Sequence, residues 1–550
     1  MPFFSSASFS PLAHRRVVAL SCATGLMWAF SGAVSPAGAA GWDVCAHGCR
    51  YDQVGPALAA SRDGDTIRIG PGVYTGGLTI TTSVTLVGSG RDATIIRGGG
   101  PVVTIGAFGA AAQPTVALRG LTFTGGVSRT SPQSIPFTGE AGVFAAGGGV
   151  EIPPGADPGP GKPFEPGATV RITDSAITWN RVAPTATVPF GPPCPTGPCP
   201  AAIAAGGGID SWGDLTLVRT SVSHNRVGTA AGLSAVASDA EGGAIRHHAG
   251  DLTIKDSTLA DNQVSASAPN GRFADGGAIL ASGHTVTMIR DVVDGNSAAL
   301  DAGLPDGIDM LAIAGGVHLA GGITAATVRG SRIYHNSARM TNTAGYTTAF
   351  SGGLHADLPV TLIDDDISHN SILSVTLPGS PGNAQGDSGA GELSGSITGT
   401  HLTGNTVAVR SAAGDVTIGG GATIFWGTMT NSLVSNNRLF GSSPHGAVTL
   451  VGAGFQAERG VTLQDTDVTG NTGVATGKTG TVHGGGIYNS PVPNGPEGGP
   501  LHLVGSHISH NTLRGGPGIT ASGGGVFTAY PVDLVASVIA RNSPDQCVGC

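Results

Sequence analysis

The chain has 550 residues, of which 92 are Gly; 11% are charged, 5% are aromatic, and the net charge is -9. Lys and Arg form no run, so a nucleic acid partner is not expected, because phosphate binding requires clustered cations. Beyond the first 40 residues no stretch has the 18 or more uninterrupted apolar residues of a membrane helix, so no transmembrane segment is predicted.

The first 40 residues have the pattern of a secretory signal peptide. A basic segment, His14 to Arg16, precedes the largely apolar stretch 17–34, and small residues at 37–39 suit signal peptidase. We therefore expect a secreted, extracellular protein.

Six cysteines follow the leader, in three close pairs: Cys45 with Cys49, Cys194 with Cys199, and Cys547 with Cys550. An even number of cysteines in an exported chain favours disulfides, and local pairing is the simplest of the fifteen connectivities that six cysteines allow. The alternative is half of a zinc site at Cys547-x2-Cys550, for which the sequence offers no matching second half.

Residues 51–62 are predicted to form a short helix, with an apolar side at Val54, Ala57 and Leu58 and an end at Gly64. Such a helix would cover the open edge of a stack of strands. Short β-branched runs separated by Gly, Asp and Ser come next. They predict strands over 66–69, 78–80, 84–87, 94–97, 102–105 and 116–123.

Three motifs in this region, Gly64-Asp-Thr-Ile67, Pro71-Gly-Val-Tyr74 and Leu86-Val-Gly88, resemble the start of the pectin-lyase-like right-handed parallel β-helix proteins. The resemblance implies the same fold. It also implies that a broad outer face of the helix holds a polysaccharide.

From residue 175 onwards one eight-residue pattern recurs eleven times, at intervals of 31 to 45 residues. Each copy has Ser, Thr or Asp, an apolar residue two positions later, and Asn three positions after that. Self-similarity at this period is typical of a solenoid and not of several independent domains. The asparagines are Asn180, Asn225, Asn262, Asn296, Asn336, Asn370, Asn405, Asn437, Asn471, Asn511 and Asn542.

The segments Gly242-Gly-Ala-Ile245 and Gly276-Gly-Ala-Ile279, each followed by apolar-x-x-Asn, are similar to the GGAI and FxxN repeats of polymorphic outer-membrane adhesins. Ile, Val or Leu replaces the Phe of that family in every copy. The resemblance implies an adhesin-like role at a cell surface.

Each repeat is predicted to give three short strands to three parallel sheets, with Ser/Thr/Asp and Asn at two corners. Asn accepts the left-handed backbone of a tight corner, and its amide can bond to the Asn one repeat away. Sugar binding by the stacked asparagines is the alternative. The corner role is preferred, because every repeat needs a corner at this position whether or not the protein binds a ligand. The histidines before four of them, His224, His335, His369 and His510, are interpreted as solvated corner residues, and neither a metal nor a cofactor is predicted.

The connection from each Asn to the next Gly-rich strand takes 15 to 29 residues, more than a corner requires. These connections are expected to form either a wall beside a binding face or bland surface loops. Among the outward positions of the Gly-rich strand, seven carry denser polar chemistry than the rest and predict the binding face. They are Asp210, Trp212, Arg246, His248, His318, His355 and Asp357, with Trp212 as a stacking platform for sugar.

The predicted fold is an all-β, right-handed parallel β-helix with a short N-terminal capping helix. Its parts are a signal peptide over 1–40, a cap with the first turns over 41–125, and the repeat region over 126–550. The predicted function is non-catalytic binding of a glycan or cell surface by a monomer. A polysaccharide lyase or glycoside hydrolase on the same face is the alternative, with Asp210 and Arg246 as the residues to test, and a structural spacer is the third.

Overall fold

The computed structural model describes residues 43–129, 143–159, 162, 164–184, 202–228, 238–267, 271–303, 310–489, 491 and 498–550. The expected leader lies outside these ranges. Within them all strand pairings are parallel and form long stacks, so the chain is an all-β solenoid, a parallel β-helix as predicted. No helix in this part of the chain is long and apolar enough to cross a membrane.

The N-terminal cap is the helix Val54–Ala59, which buries the predicted apolar side of Val54, Ala57 and Leu58. It ends at Ala59, ahead of the expected end at Gly64. The predicted strands at 66–69, 78–80 and 94–97 are present with those bounds. The predicted strand 116–123 is two strands, because Gly120 turns the chain with φ of 65°.

A full repeat has five strands, two more than predicted, and equivalent strands stack into five columns. In the described residues these columns join into three parallel sheets, the number predicted: columns 1 and 2, column 3, and columns 4 and 5. Column 1 follows the Gly-rich segment: Leu78–Ile80, Val103–Ile105, Val150–Ile152, Ile209–Ser211, Ile245–His247, Ile279–Ala281, Val317–Leu319, Leu354–Ala356, Phe455–Ala457, Ile487–Asn489, Val526–Thr528 and Cys547–Val548. Column 2 contains Thr66–Ile69, Thr85–Gly88, Thr115–Arg119, Thr169–Thr173, Leu215–Val218, Asp251–Lys255, Thr285–Ile289, Ala325–Arg329, Val360–Ile363, Val461–Gln464, Leu501–Val504 and Val532–Val535. Two long strands, Gly391–Thr398 and Thr423–Thr430, run through both columns.

Column 3 lies between the two polar corners: Gly72–Thr75, Thr94–Arg97, Thr122–Thr124, Ala176–Thr178, Ser221–Ser223, Thr258–Ala260, Val292–Asp294, Arg332–Tyr334, Asp366–Ser368, His401–Thr403, Leu433–Ser435, Asp467–Thr469, His507–Ser509 and Val538–Ala540. At the usual spacing of about 4.8 Å between paired strands, this stack extends for roughly 60 Å.

Columns 4 and 5 are built from the connections after each Asn. Column 4 contains Val127–Ser128, Arg181–Val182, Arg226–Gly228, Gln263–Ser267, Ser297–Ala302, Ser337–Asn342, Ser371–Thr376, Thr406–Arg410 and Thr512–Gly515. Column 5 contains Val143–Ala146, Ala202–Ala205, Ser238–Glu241, Gly271–Asp275, Leu311–Ile313, Thr347–Phe350, Ala384–Asp387, Val416–Ile418 and Ile519–Ser522. The strands Arg438–Val451 and Thr472–His483 run through both.

The five columns enclose two hydrophobic cores. The larger core lies inside columns 1, 2 and 3 and includes Ile245, Leu252 and Leu259 of one repeat. The second core lies between columns 4 and 5 and includes Leu300 and Met340. The described parts of the connections are therefore packed β structure, and the expectation of bland surface loops is wrong for them.

Left-handed residues turn the chain at three corners of a repeat. In one repeat they are Asp256, Asp261 and Gly276, with φ of 51°, 55° and 62°. The prediction that Asn itself is left-handed is wrong, since the residue before it takes that conformation. The four histidines at 224, 335, 369 and 510 occupy this position, with φ between 53° and 58°.

The eleven asparagines form one buried hydrogen-bonded ladder. Asn336 is typical: its Oδ1 accepts bonds from the N and Nδ2 of Asn296, both at 2.9 Å, and its Nδ2 donates to Val293 O and Asn370 Oδ1, both at 3.0 Å. All ten links between successive asparagines are present. Their amides are thereby occupied, so the ladder stabilises the stacking and leaves these side chains unavailable to a sugar.

A second ladder follows the Ser/Thr/Asp position. Asp365 Oδ1 accepts a bond from Ser331 N at 2.7 Å, and Asp365 Oδ2 accepts one from Ile363 N at 2.9 Å. Ser257 Oγ accepts from Thr220 N at 3.1 Å in the same way. Hydroxyl and carboxylate therefore serve one structural purpose at this corner.

Disulfides join Cys45 to Cys49 and Cys547 to Cys550, near the two ends of the described chain. Both are local pairs, as predicted. The second bond removes the two thiolates that a zinc half-site would need.

The third predicted disulfide, between Cys194 and Cys199, is not confirmed by the structure. Cys194 and Cys199 both fall within residues 185–201, which lie outside the described ranges. The pairing of Cys199 with Cys194 therefore stays a prediction.

Candidate functional site

Outward side chains of column 1 form a straight line along the solenoid. In a three-residue strand such as Ile245–His247 the first and third side chains enter the core and the middle one points out. Pairing is in register, so Asp210 lies beside Arg246 and His318 beside His355. This line, the groove floor, comprises Glu151, Asp210, Arg246, Leu280, His318, His355, Glu392, Thr423, Gln456, Tyr488 and Phe527.

The final residues of column 5 flank the floor across the Gly-rich corner. This groove wall comprises Glu241, Asp275, Ile313, Phe350 and Asp387. Arg246 Nε donates to Glu241 Oε2 at 2.6 Å, and Thr423 Oγ1 donates to Asp387 Oδ1 at 2.9 Å. Floor and wall side chains therefore meet along the Gly-rich corner, and the surface that they line together is called the groove.

The Gly-rich corner needs its second glycine for close stacking. A Cβ placed on Gly277 would lie 2.1 Å from the carbonyl oxygen of Gly315 in the next repeat. Because the backbones of successive repeats are in contact at this position, a side chain does not fit there. The chain can therefore pass directly from the wall strand to the floor strand.

Glu151 and Asp210 are neighbouring carboxyl groups on the floor. Burial, reinforced by the charge of Asp210, raises the pKa of Glu151 to about 7. Burial raises the pKa of Asp210 to about 7 as well, against the opposing charge of Arg246. Neighbouring carboxyl groups whose pKa values are raised by burial are candidates for general acid–base chemistry.

His248 and Trp212 cover Asp210. His248 Nε2 lies 3.0 Å from Asp210 Oδ1, and burial holds the pKa of His248 well below its usual range. Trp212 stacks on His248 with ring centroids 4.0 Å apart and contacts Phe164 with its edge. Only 9% of Trp212 is exposed, so it does not offer the free face that the predicted sugar-stacking role requires.

His318, His355 and Asp357 form a second cluster. His318 Nδ1 is 2.8 Å from both carboxylate oxygens of Asp275, and its Nε2 is 3.5 Å from Asp357 Oδ2. His355 Nε2 is 3.1 Å from Asp357 Oδ1.

The charges of this cluster are coupled. Burial opposes a charge on His318, but Asp275 and Asp357 outweigh burial and raise the pKa of His318 to about 10. The imidazoles of His318 and His355, both within 3.5 Å of its carboxylate, hold the pKa of Asp357 well below its usual range. His318, His355 and Asp357 each offer one ligand atom, and these atoms lie within 4.8 Å of one another.

Glu392 also lies on the floor, beside His355, with Oε2 3.5 Å from His355 Nδ1. The strand Gly391–Thr398 merges columns 1 and 2 and shortens this repeat, so the sequence alignment does not show directly that Glu392 belongs to the floor. Burial raises the pKa of Glu392, and it raises that of Glu458 to about 7.

The seven predicted residues therefore lie on one face but in two clusters, separated by the apolar Leu280. The first contains Asp210, Trp212, Arg246 and His248, and the second contains His318, His355 and Asp357. Sequence reasoning missed the wall carboxylates Glu241 and Asp275. Both residues stand directly before a Gly-Gly pair, and this repeated acidic position in the sequence could have indicated a row of carboxylates beside the floor.

Access to the groove is uneven. Asp210 and His318 are 1% and 6% exposed, whereas the Asp357 side chain is 45% exposed. Trp426, in a strand that contributes to the floor, is 42% exposed. A ligand approaching the groove therefore meets Asp357 before the buried carboxyl groups.

No protein-family model matches this chain, and no curated protein matches its sequence. Among solved structures, the A-module of the Azotobacter vinelandii mannuronan C-5 epimerase AlgE6 aligns with 87% of this chain and 93% of its own, at 15% identity and a TM-score of 0.31. Likeness at that level transfers no activity. The resemblance to adhesin repeats stays a prediction, since no family match supports it.

Proposed function

We propose that this protein is an extracellular carbohydrate-binding protein that holds a linear polysaccharide along the groove. The observation that carries the proposal is the line of one outward side chain per repeat, polar at most positions, beside a wall rich in carboxylates. A regularly spaced row fits a polymer of repeating units, whereas small ligands bind in closed pockets. The predicted leader and the two local disulfides support an extracellular location.

The groove chemistry favours a hydroxyl-rich ligand. Among the floor residues Arg246 is the one Lys or Arg, so a polyphosphate chain would lack the clustered cations that it needs. Carboxyl groups, imidazoles and the Gln456 amide can accept and donate hydrogen bonds to sugar hydroxyls. The exposed Trp426 offers the apolar ring face that Trp212 does not.

The test is retention of polysaccharides by the mature chain, on a glycan array and on affinity gels. Arg246→Gln should weaken retention by about 10-fold or more, because a charged hydrogen bond contributes about 1.5–3 kcal/mol. Arg219→Gln is the matched control. Arg219 Nε donates to Asp174 Oδ1 at 2.6 Å, the same distance as from Arg246 Nε to Glu241 Oε2, but Arg219 lies at an exposed corner outside the floor and the wall. Retention of no glycan, or equal loss in both variants, would contradict the proposal.

A second candidate function is catalysis on the same polysaccharide by Glu151 and Asp210. The observation that favours it is the in-register placement of Glu151 and Asp210 on adjacent repeats, with Arg246 next in the line. Burial raises the pKa of both carboxyl groups to about 7. Adjacent repeats lie about 4.8 Å apart, close to the separation of about 5 Å between the two carboxyl groups of retaining glycosidases.

Release of new reducing ends or unsaturated products from retained polysaccharide tests this candidate. The rate should peak near pH 7 and fall on both sides, because one carboxyl group must be ionised and the other protonated. Asp210→Asn should lower the rate by about 100-fold or more while retention persists. Retention without any product would leave the protein a binder.

A further inference from the structure

Two imidazoles and one carboxylate converge in the middle of the groove. His318 and His355 are partners on adjacent repeats, and their ring centroids lie 4.6 Å apart. Both direct Nε2 at Asp357, at 3.5 Å from Oδ2 and 3.1 Å from Oδ1.

The other ring nitrogen of each histidine is already held. Asp275 accepts the His318 Nδ1 bond with both oxygens at 2.8 Å, and Ser351 Oγ lies 2.9 Å from His355 Nδ1. Metal-binding histidines characteristically have this support, because a partner on one nitrogen fixes the tautomer and aims the other nitrogen at the ion.

The His318 Nε2 atom is the unsatisfied member of the cluster. His318 is 6% exposed, and its Nε2 has no hydrogen-bond partner. The 3.5 Å approach to Asp357 is an electrostatic contact without hydrogen-bond geometry. A buried polar atom without a partner is costly, so its position in a row of well-bonded groups points to a ligand.

The spacing of these atoms suits a tetrahedral ion. With metal–nitrogen and metal–oxygen bonds of about 2.0–2.2 Å, two ligand atoms of a tetrahedral site lie roughly 3.4 Å apart. The two nitrogen–oxygen separations, 3.5 Å from His318 Nε2 to Oδ2 and 3.1 Å from His355 Nε2 to Oδ1, lie on either side of that value. One ligand atom from each residue lies within 4.8 Å of the others, so closing the site takes a movement of at most about 1.4 Å.

We propose that His318, His355 and Asp357 bind one divalent transition-metal ion of the zinc class, with Asp275 and Ser351 orienting the two imidazoles. Two nitrogen ligands and one oxygen ligand favour zinc-like ions over calcium or magnesium, which take oxygen ligands. Three protein ligands leave one coordination position. That position would accept water or a ligand oxygen.

The competing explanation is an ion-pair triad, in which protonated His318 bridges Asp275 and Asp357 without a metal. The two explanations differ in a direct measurement. Because the titration uses metal alone, its outcome is independent of whether the groove binds a glycan.

The full chain, stripped with a chelator, is titrated with Co²⁺ and then with Zn²⁺. We expect one Co²⁺ per chain with the visible absorption of a four- or five-coordinate site, displaced by Zn²⁺. His355→Gln and Asp357→Asn should each weaken binding by about 100-fold or more, and Asp275→Asn by about 10- to 100-fold. His502→Gln, which alters a His–Asp pair of 2.7 Å on exposed side chains, should bind as the wild type does.

Asp357→Asn is the decisive variant, because its side chain is 45% exposed and its replacement leaves the core unchanged. Circular dichroism establishes that each variant is folded. Absence of a stoichiometric Co²⁺ site in the wild type, or unchanged binding by folded Asp357→Asn and His355→Gln, would overturn the metal site and establish the ion-pair triad.

Discussion

Replacing Asn336 by Ala tests how strongly the asparagine ladder stabilises the solenoid. The Asn336 side chain makes four hydrogen bonds, two accepted from Asn296 and two donated, to Val293 and Asn370. At a net contribution of about 0.5–1.5 kcal/mol each, their loss should lower the free energy of unfolding by about 2–6 kcal/mol. The upper part of that range is expected, because the N–H groups left behind are buried.

The effect should be local, since in a solenoid each repeat contacts only its neighbours. Hydrogen exchange should show lost protection in the strands Val292–Asp294, Arg332–Tyr334 and Asp366–Ser368, and guanidinium unfolding should give the free-energy change. The matched control is His335→Asn, because His335 is an exposed corner residue and Asn436 occupies the same left-handed position in another repeat. If Asn336→Ala lies within about 1 kcal/mol of this control, the apolar core and not the ladder sets the stacking.

Three further predictions concern the second ladder, the second core and the exposed corners. Burial raises the pKa of Asp365 to about 6, so between pH 4 and 6 the folded state binds more protons than the unfolded chain. Thermal melts should therefore show stability falling as the pH rises from 4 to 6. That slope should shrink in Asp365→Ser, which keeps an acceptor for Ser331 N; an unchanged slope would contradict the burial argument. Leu300→Ala, at a fully buried site between columns 4 and 5, should lower the free energy of unfolding by about 2–5 kcal/mol, measured by urea unfolding. A decrease below about 1 kcal/mol would mean that the second core does not unfold cooperatively with the rest of the chain. Arg219→Ala should cost less than about 1 kcal/mol, with no added effect at high salt, because its ion pair with Asp174 is exposed.

The repeating corners and core of the fold could be predicted from the sequence. The recurring Asn, the apolar residue three positions before it and the Gly-rich segment specified a parallel β-helix, because each repeat needs the same corners and the same core. The sequence did not show which corner residue adopts the left-handed backbone conformation. Asp261 and His224 carry the left-handed backbone, but this position also admits Trp, Gly, Asn and Arg, so its side chains show no pattern.

The connections were misjudged for a different reason. Columns 4 and 5 are filled with small residues such as Ala266, Ala274 and Ala312, which pack closely in the second core. In the sequence the same Ala, Gly and Ser content is typical of loops. Tertiary stacking on the neighbouring repeat, and not local propensity, makes them strands.

The candidate site was predictable as a face but not as a set of contacts. Alternation along column 1 placed Asp210, Arg246, His318 and His355 on one side, as expected. The partners that define their chemistry come from other repeats: Asp275 precedes His318 by 43 residues, and Asp210 precedes His248 by 38. Such pairings depend on strand register, which the irregular strand at Glu392 obscured.

The floor differs from the ladders in one respect that bears on function. Ladder positions keep the same chemistry in every repeat, because each one satisfies the same backbone groups. The floor changes from repeat to repeat, and Leu280 shows that the fold accepts an apolar residue in this line. Buried charges are costly, and well-packed apolar residues can replace them without loss of stability. The fold therefore does not require the polar groups on either side of Leu280, which are Asp210 and Arg246 before it and His318 and His355 after it. The proposed groove ligand and metal ion would account for their presence.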